Sequence, residues 1–590
     1  MKIKHLFGLA VIAAMTASCS SNEDLGTAGP GTGTNEAGVG YATFTINLPS
    51  VSGSTTSGAR GTRAADNGGA EMDKGTEDEY KVSDATALIF QKYGADEGSY
   101  KFVESVILPV TDWEADATAG ITTKSKKLVA KLTNVDTKNT YAVLVLLNNK
   151  SGSSVKIKLP NVGDSYNDWN NTVLSPDLAE LAKTNDFYMA NAPLNESGSV
   201  KTLVTIDKEN IYPTKEKAEA GTSAADVYVE RGVAKMTVVA PGTITVKDKA
   251  TSANTQSKVT FSKWALDITN KKTFAVHNID GLSADYNKIW NTDPSNRFIG
   301  TNNRVYWGKD PNYKLAELNT ADDVNDKKRK EEFNIIDATS KIDKEFANTT
   351  NTNPVYCLEN TFNLANMYQG QTTRVIFKAK YVPGGDLADE DGTFYTIGNM
   401  TSILNTDKLK AAVEAAATSV LPSGYKVDYA KLKTEGSHVI TPEVIVHDDA
   451  TGTTHLDKDA TYGGTKTGAD IVKEINDKLG LKAGRPEEMV GINTYLEGAT
   501  YYIARVKHFG DAKTPWNSGE SYSDNNDKYL GRYGMLRNNW YELTVGNVYG
   551  PGYPGVPPVD PTLPDDENEK YLSVSVKILS WAKRSQSVDL

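Results

Sequence analysis

Two short segments near opposite ends of the chain alternate strictly between apolar and polar residues. A two-residue period places successive side chains on opposite faces of a β-strand. Residues 41–48 and 571–578 are therefore both predicted to be strands with one apolar face. The apolar positions are Ala42, Phe44, Ile46 and Leu48 in the first segment and Leu572, Val574, Val576 and Ile578 in the second.

Stretches of low complexity separate both strands from the rest of the chain. Residues 25–38 and 50–75, which flank the first strand, are rich in Gly, Ser, Thr and Ala and cannot bury a core. Residues 550–570 precede the second strand and are rich in proline. An extended proline-rich segment of this length reaches roughly 60 Å, at about 3.1 Å per residue. We therefore expect a semi-rigid linker, with the final segment, Leu572 to Trp581, only loosely docked in a monomer.

The body of the chain is predicted to be mainly β. Runs such as 85–90 and 140–147 are rich in branched and aromatic residues and are bounded by turn-forming residues. Because all-β domains often reach about 200–250 residues, 590 residues fit two large β-sandwiches in tandem. We place them at 64–278 and 279–549, with a boundary near Asn278. Helical signals are fewer and predict short surface helices at 177–182, 406–421 and 470–479.

The first residues resemble an export signal. Lys2 and Lys4 precede an apolar run at 6–15 that is too short to span a bilayer, and small residues lead up to Cys19. The pattern predicts a signal peptide at 1–18 and a lipidated cysteine at 19, so that the precursor is tethered to the outer membrane. The alternative is an ordinary secretory signal with a chance cysteine.

The overall charge argues against nucleic acid as a partner. The chain has 75 acidic and 64 basic residues, a net charge of −11, which favours solubility and opposes binding to phosphate backbones. If Cys19 is lipidated, Cys357 is the only other cysteine, and no intramolecular disulfide can form. In its apolar surroundings Cys357 is predicted to be a buried small residue rather than a nucleophile.

The sequence contains no recognisable enzyme motif, so we expect a protein that is not an enzyme and needs no cofactor. The histidines show no metal-ligand spacing on a predictable helix. His447 and His455 lie in a loop rich in Gly, Thr and Asp, where a metal site is an alternative to ordinary turn formation.

A strand with an apolar face and unpaired backbone groups must add to a sheet. The last strand could fold back onto its own domain, or it could complete a sheet in another molecule by strand addition. If the strand at 41–49 fills the same groove first, it must be removed before a second molecule can bind. Arg60 and Arg63, the first arginines in the chain, lie just after it and are candidate cleavage sites.

Several motifs together resemble the type V pilus fimbrillins of Bacteroidales, in particular the shaft subunit of the short fimbriae. The resemblance covers most of the chain in order and is strongest at the C-terminal strand. The motifs lie at 58–64, 229–235, 356–360, 537–541, 572–576, Trp581 and 588–590.

The resemblance implies two transthyretin-like β-sandwich domains in an outer-membrane lipoprotein that becomes part of an extracellular fimbrium. It implies that an arginine-specific protease cuts between Arg63 and Ala64, or after Arg60, to remove residues 19–63. The strand at 571–590 of the next copy would then fill the groove. Anchor and tip pilus proteins, and ligands on host or bacterial surfaces, would be further partners.

Two other functions fit much of the same sequence. A surface lipoprotein that binds a glycan or a protein without polymerising would share the export signal and the β-rich body. An anchor or tip accessory subunit of a pilus would keep its lipid or cap a filament. The proline-rich segment and the final alternating strand favour a polymerising subunit over these alternatives.

Overall fold

The computed structural model describes a chain that is mainly β, as the sequence predicts. The 3-10 helices in it are Glu77–Glu79, Glu97–Ser99, Lys208–Asn210, Leu364–Asn366, Tyr429–Leu432, Pro442–Val444, Leu496–Gly498 and Asp527–Tyr529. The described residues are 33–48, 76–110, 125–196, 199–239, 242–282, 298, 304–315, 318, 320–336, 347–348, 354–448, 454–509, 513–516, 527–565 and 572–580.

The N-terminal unit is built from thirteen strands and three short helices among the described residues. The helices are α1 (Tyr166–Asn170), α2 (Leu178–Leu181) and α3 (Lys215–Ala220). The strands are β1 (Gly40–Asn47), β2 (Ala85–Gln91), β3 (Lys101–Leu108), β4 (Ser125–Leu132), β5 (Tyr141–Leu147), β6 (Lys150–Ser151), β7 (Ser154–Val155), β8 (Met189–Asn191), β9 (Leu194–Glu196), β10 (Ser199–Lys201), β11 (Val204–Ile206), β12 (Ile211–Tyr212) and β13 (Ala225–Arg231).

Most of these strands form one sheet that folds over on itself. Its order is β12-β1-β13-β8-β5-β2-β3, with β11 beside β5 and β4 beside β1. Apolar side chains of β1, β4 and β13 pack with those of β2 and β5 in a single core, so the sheet makes two layers. Every residue of β5 is buried because its second face packs in a further cluster, and this explains the unbroken apolar run in its sequence.

The C-terminal unit contains the remaining strands and the longer helices. The helices are α4 (Asp323–Glu332), α5 (Thr406–Ala417) and α6 (Gly468–Leu479). The strands are β14 (Ala234–Val239), β15 (Thr243–Lys247), β16 (Asn254–Asp267), β17 (Thr269–Asn270), β18 (Phe333–Asn334), β19 (Ala347–Asn348), β20 (Val355–Cys357), β21 (Arg374–Val382), β22 (Phe394–Ile397), β23 (Tyr425–Val427), β24 (Gly436–His438), β25 (Ile445–His447), β26 (Thr461–Tyr462), β27 (Lys466–Thr467), β28 (Ile492–Tyr495), β29 (Ala499–Arg505), β30 (Asn539–Val548) and β31 (Leu572–Ser580).

Two sheets of this unit enclose its main core. One has the order β20-β14-β30-β31, and the other has the order β15-β16-β21-β29 with β19 beside β16. Side chains from both sheets, such as Met236 and Leu543 from the first and Phe261 and Phe377 from the second, pack in one cluster. The unit is therefore a second two-layer β-structure.

The predicted domain boundary near Asn278 is wrong. β13 ends at Arg231 and β14 begins at Ala234, and β14 pairs with β30 of the C-terminal unit. The chain crosses at Gly232, where a Cβ would lie 2.8 Å from a ring carbon of Tyr188 and so would not fit. The sequence is misleading here because Ala275 and Val276 return to pack against the N-terminal sheet.

Each unit places its first strand in the same way. β1 runs antiparallel to β4 and parallel to β13, the last strand of its unit. β14 runs antiparallel to β20 and parallel to β30. This repeated arrangement identifies residues 40–231 and 234–580 as tandem units with related strand order around their first strands.

A smaller helical region is inserted between β22 and β28. Its two helices pack over the small sheet β22-β28-β24 in a core of their own. The predicted helices at 406–421 and 470–479 are both present, as α5 and α6. Asn405 caps the start of α5, while Thr467 and Asp470 form a capping box on α6, which ends at Gly480 with φ 67°. The signal at 177–182 is the short α2, with Asp177 as its cap.

A buried ion pair joins the two units. Glu79 Oε1 lies 2.6 Å from Lys235 Nζ and accepts a hydrogen bond from the Tyr356 hydroxyl, and Lys235 lies over the Trp540 ring. Burial tends to raise the pKa of Glu79, but the charge of Lys235 and the hydrogen bonds from Lys235 and Tyr356 hold that pKa below 4.5. The folded state is therefore stabilised by the ionised carboxylate.

Replacing Glu79 with Ala is expected to lower the free energy of unfolding by about 3–5 kcal/mol, because it leaves the Lys235 ammonium buried without its carboxylate. The exposed pair Lys215–Glu219 provides the control, and Glu219→Ala should cost under about 1 kcal/mol. Because the folded pKa of Glu79 is lowered, its contribution is present above pH 4.5 and is lost as the pH falls through the folded value. Denaturant titration at neutral and acidic pH measures both effects, and equal losses in the two variants would contradict them.

Candidate functional site

The first strand, β1, is enclosed by other strands on both edges. It pairs with β4 along its whole length, from Gly40 opposite Leu132 to Asn47 opposite Ser125. Its other edge pairs with β12 at residues 41–42 and with β13 at residues 44–47. We call the space that β1 fills between β4 and the β12/β13 edge the β1 groove.

The apolar face of β1 points into the core, where its alternation predicts it. Ala42, Phe44 and Ile46 are fully buried, and Leu48 is 3% exposed. Burying the three large side chains contributes a gross stabilisation of about 4–9 kcal/mol, before the cost of ordering the strand. Together with backbone bonds on both edges, this makes spontaneous release of the strand unfavourable.

The polar face of β1 is also largely covered, so this strand is buried on more than its apolar face. Thr43 is 1% exposed, and its hydroxyl donates to the Ala218 carbonyl, 2.6 Å away at the end of α3. The hydroxyls of Thr45 and Ser223 are hydrogen-bonded, and the Asn47 side chain donates to the Val227 carbonyl. Short hydroxyl side chains can be buried here because nearby backbone carbonyls accept from them.

The last strand, β31, is not loosely docked, contrary to our expectation. It pairs antiparallel with β30, from Ser580 opposite Asn539 to Leu572 opposite Val548. Ile578, Val576 and Val574 pair with Tyr541, Leu543 and Val545, whose side chains are buried. β30 otherwise offers a free edge, and an unpaired edge favours the nearest available strand. Among the described strands, β31 has a partner on one edge only and ends the order of its sheet.

The proline-rich segment before β31 is bound to the C-terminal unit through residue 565, so the prediction of a free linker at 550–570 is wrong. We call residues 550–565 the strap. The Tyr502 and Tyr495 hydroxyls donate to the carbonyls of Gly550 and Gly552. Tyr553 and Tyr501 exchange backbone bonds in both directions. Proline lacks an N–H but keeps its carbonyl as an acceptor, and so the strap is held by donors from the body.

Two buried arginines hold the middle and the end of the strap. Arg374 donates to the carbonyls of Pro557 and Pro558 and pairs with Asp267 at 2.9 Å. Arg505 pairs with Asp565, whose side chain is fully buried and also accepts from the Thr372 hydroxyl. Only residues 566–571 separate this anchor from β31, a span of about 20 Å when extended.

Several predicted site residues lie outside the described residues. These are the lipidation site Cys19, the cleavage residues Arg60, Arg63 and Ala64, and Trp581 of the last strand. The structure does place the two ends of the cleavage segment, because β1 ends at Asn47 and the chain is described again from Thr76.

The described residues offer little for catalysis. Burial raises the pKa of the Cys357 thiol to about 12, which keeps it protonated and unreactive. His447 packs edge-on against Tyr425, and His455 is exposed near Lys431. Across the described ranges, His, Cys, Asp and Glu side chains nowhere form a group of three that could hold a metal ion. Within the same ranges, no helix has the length and apolar character needed to cross a membrane.

A family match covers the last part of the chain. Residues 493–587 match a family described as major fimbrial subunit protein type IV, fimbrillin, C-terminal. The matched range includes β29, β30, the strap and β31. No curated protein matches the chain significantly.

Solved structures resemble the chain at low identity. A candidate cell adhesion protein from Parabacteroides distasonis is 10% identical, with 93% of this chain and 99% of that chain covered and a TM-score of 0.35. A candidate cell adhesion protein from Bacteroides eggerthii is 12% identical, with 96% and 100% covered and a TM-score of 0.33. A fimbrial assembly protein from Parabacteroides distasonis is 13% identical, with 41% and 67% covered and a TM-score of 0.22. These TM-scores are too low to carry an argument about fold or function.

Replacing Asp565 with Ala is expected to release the end of the strap, because it removes the carboxylate that faces buried Arg505. The amide of Gln369, which donates to the Leu563 carbonyl, should then exchange hydrogen faster in a mass-spectrometric measurement. Asp560→Ala, in an outer turn where Asp560 bonds only Thr562, is the matched control. Unchanged protection in Asp565→Ala would show that the anchor does not hold the strap.

Proposed function

We propose that the chain is the precursor of a structural subunit of a surface pilus, a fimbrillin, that polymerises by strand exchange. The observation that carries this proposal is the pairing of two features in one chain. First, β1 fills a groove that has strands on both edges. Second, another alternating strand, β31, follows the strap, and six residues separate the end of the strap from this strand. The family match at 493–587 supports the same function, because it covers β30, the strap and β31.

The proposed sequence of events begins with export. The precursor would carry a lipid on Cys19 and reach the outer membrane, with transthyretin-like sandwiches as its two units. An arginine-specific protease would cut after Arg63, or after Arg60, so that residues 19–63 with β1 can leave. β31 of another copy would then fill the β1 groove, and repetition would build an extracellular fimbrium that supports adhesion.

The exchange is favourable because β31 can form backbone hydrogen bonds on two edges in the β1 groove but on one edge in its own chain. Within the part of its own chain that the structure describes, β31 pairs with β30 alone. In the β1 groove it would pair with β4 on one edge and with β12 and β13 on the other, as β1 does. Since strand addition derives its affinity from main-chain hydrogen bonds, the second edge favours the junction between copies over the monomer.

A second function is favoured by one specific observation, the pairing of β31 with β30 in the same chain. A surface lipoprotein that binds a glycan or a protein without polymerising would need no more than this. The two functions differ in what happens after cleavage, and the next two experiments separate them.

Replacing both Arg60 and Arg63 with Ala is expected to give a folded monomer that an arginine-specific protease cannot activate. Wild-type protein should form filaments after the same treatment, as seen by electron microscopy. A matched variant that carries Arg60→Ala and Arg63→Ala together with an inserted site for an unrelated protease should regain assembly when that protease is added. Normal filaments from the double variant would contradict cleavage as the trigger.

Deleting residues 571–590 is expected to leave a soluble, cleavable monomer that forms no filaments. β30 would lose its outer neighbour but keep β14 on its other edge, so the main core should persist. Circular dichroism and thermal unfolding measure the fold, and electron microscopy measures assembly. Filaments from the cleaved, truncated protein would show that β31 is not needed for polymerisation and would contradict strand exchange.

A further inference from the structure

The covered outer face of β1 constrains any strand that could replace it. Thr43 is buried beneath Ala218 at the end of α3, and its hydroxyl bonds that residue's carbonyl. Thr45 bonds Ser223 through its hydroxyl, and Asn47 lies at the end of the strand, where it bonds the Val227 carbonyl. A replacement strand therefore needs a small hydroxyl side chain at the fully covered Thr43 position and can carry one at the half-buried Thr45 position. A longer polar side chain fits best at the Asn47 position, where the strand ends.

The segment that contains β31 meets this requirement when it is aligned with β1 in the same chain direction. Tyr571 then falls at Tyr41, and Leu572 to Ile578 follow residue by residue to Leu48. The outer face receives Ser573 at Thr43, Ser575 at Thr45 and Lys577 at Asn47. We propose that β31 of a second copy enters the β1 groove in this register, parallel to β13 and antiparallel to β4. This inference rests on the proposed function and specifies how its junction is built.

The inner face is compatible with the same register. Leu572 is larger than the Ala42 it replaces, but the neighbouring Val574 is smaller than Phe44, so one position provides the space that the other needs. Val576 and Ile578 are close in size to Ile46 and Leu48. Cores accept such compensating apolar exchanges when total volume and patterning are kept. At Gly40 a Cβ would lie 2.7 Å from Ile211 Cγ2, so tight pairing begins at Tyr571 rather than at Lys570.

The reversed direction is excluded by Lys577. With the strand inverted about Ser575, Lys577 would take the place of Thr43, which is 1% exposed and lies beneath Ala218. On β4 it would face Val129, with Lys127 and Lys131 on either side. A buried ammonium between two like charges is strongly unfavourable. In the proposed register Lys577 faces Ser125 of β4 and Tyr228 of β13 instead, and the exposed Asp226 lies two residues away along β13.

A shift of two residues does not rescue the reversed direction. It would place Ser575 at Thr43 and Ser573 at Thr45, which restores the hydroxyls. However, Lys570 would then take the place of Leu48, which is 3% exposed and part of the core. A one-residue slip in either direction would turn the polar face inward. Among these arrangements, the proposed register places Lys577 at the position of Asn47, which is 9% exposed at the end of β1, rather than at the position of Thr43, and it keeps Lys570 away from the position of Leu48.

Disulfide trapping between copies tests the register. Ser125→Cys with Lys577→Cys places two cysteines opposite each other in the proposed register, whereas Val129→Cys with Lys577→Cys does so in the reversed one. Within a single chain Lys577 pairs with Glu542, so neither pair is opposed in the monomer. After arginine-specific cleavage and mild oxidation, the first variant should give a ladder of cross-linked species on a non-reducing gel. The second variant and Lys577→Cys alone should not.

The outcomes separate the register from the proposed function. A ladder from the Val129→Cys variant alone would overturn the proposed direction while leaving strand exchange intact. Filaments without a ladder from either variant would overturn the register, and absence of filaments from wild-type protein would overturn the proposed function itself.

Two matched variants without added cysteines give a second measurement. Ser573→Lys should abolish filaments, because the new lysine falls at the Thr43 position, and Lys577→Ser should retain them; the opposite result would overturn the proposal.

Discussion

The structure of the N-terminal unit depends on the backbone hydrogen bonds that β1 makes on both edges. β1 separates β4 from the β12/β13 edge, so its loss would leave two rows of unpaired donors and acceptors above an exposed core. Neither water nor a shift of the neighbouring strands can restore both the ladders and the apolar contacts of Phe44 and Ile46. The unit therefore requires a strand in this position at all times, either its own or a supplied one.

The strap determines how far the supplied strand can travel. Asp565 is held by Arg505 and Thr372, so in the proposed exchange β31 would move relative to this anchor rather than relative to residue 550. Six residues of extended chain reach about 20 Å, whereas a free proline-rich linker would reach roughly 60 Å. A short span between a fixed anchor and the donor strand keeps neighbouring copies close together, and it raises the effective concentration of the strand at the groove.

The sequence predicts those strands and helices that a short-range pattern determines. It does not predict contacts that depend on residues far apart in the chain. Alternation at 42–48 correctly predicts the strand β1, and the helical signals correctly predict α5 and α6, because both are local patterns. The burial of Thr43 depends on Ala218, and the attachment of the strap depends on Arg374 and Tyr502, which are far away in sequence. Local pattern does not indicate the domain boundary because Ala275 and Val276 return to pack against the N-terminal sheet, although Gly232 marks the crossing.

The continuity of β13 with β14 also limits each chain to one acceptor groove. β14 occupies a position in its unit that resembles that of β1 in the first, because it runs parallel to β30 and antiparallel to β20. β1 precedes the segment in which we propose cleavage, whereas β14 follows β13 after two residues. In the proposed exchange, only the N-terminal unit would therefore replace its first strand. One groove and one donor strand per chain would make the contact between copies head-to-tail, and repeated addition would produce an unbranched filament.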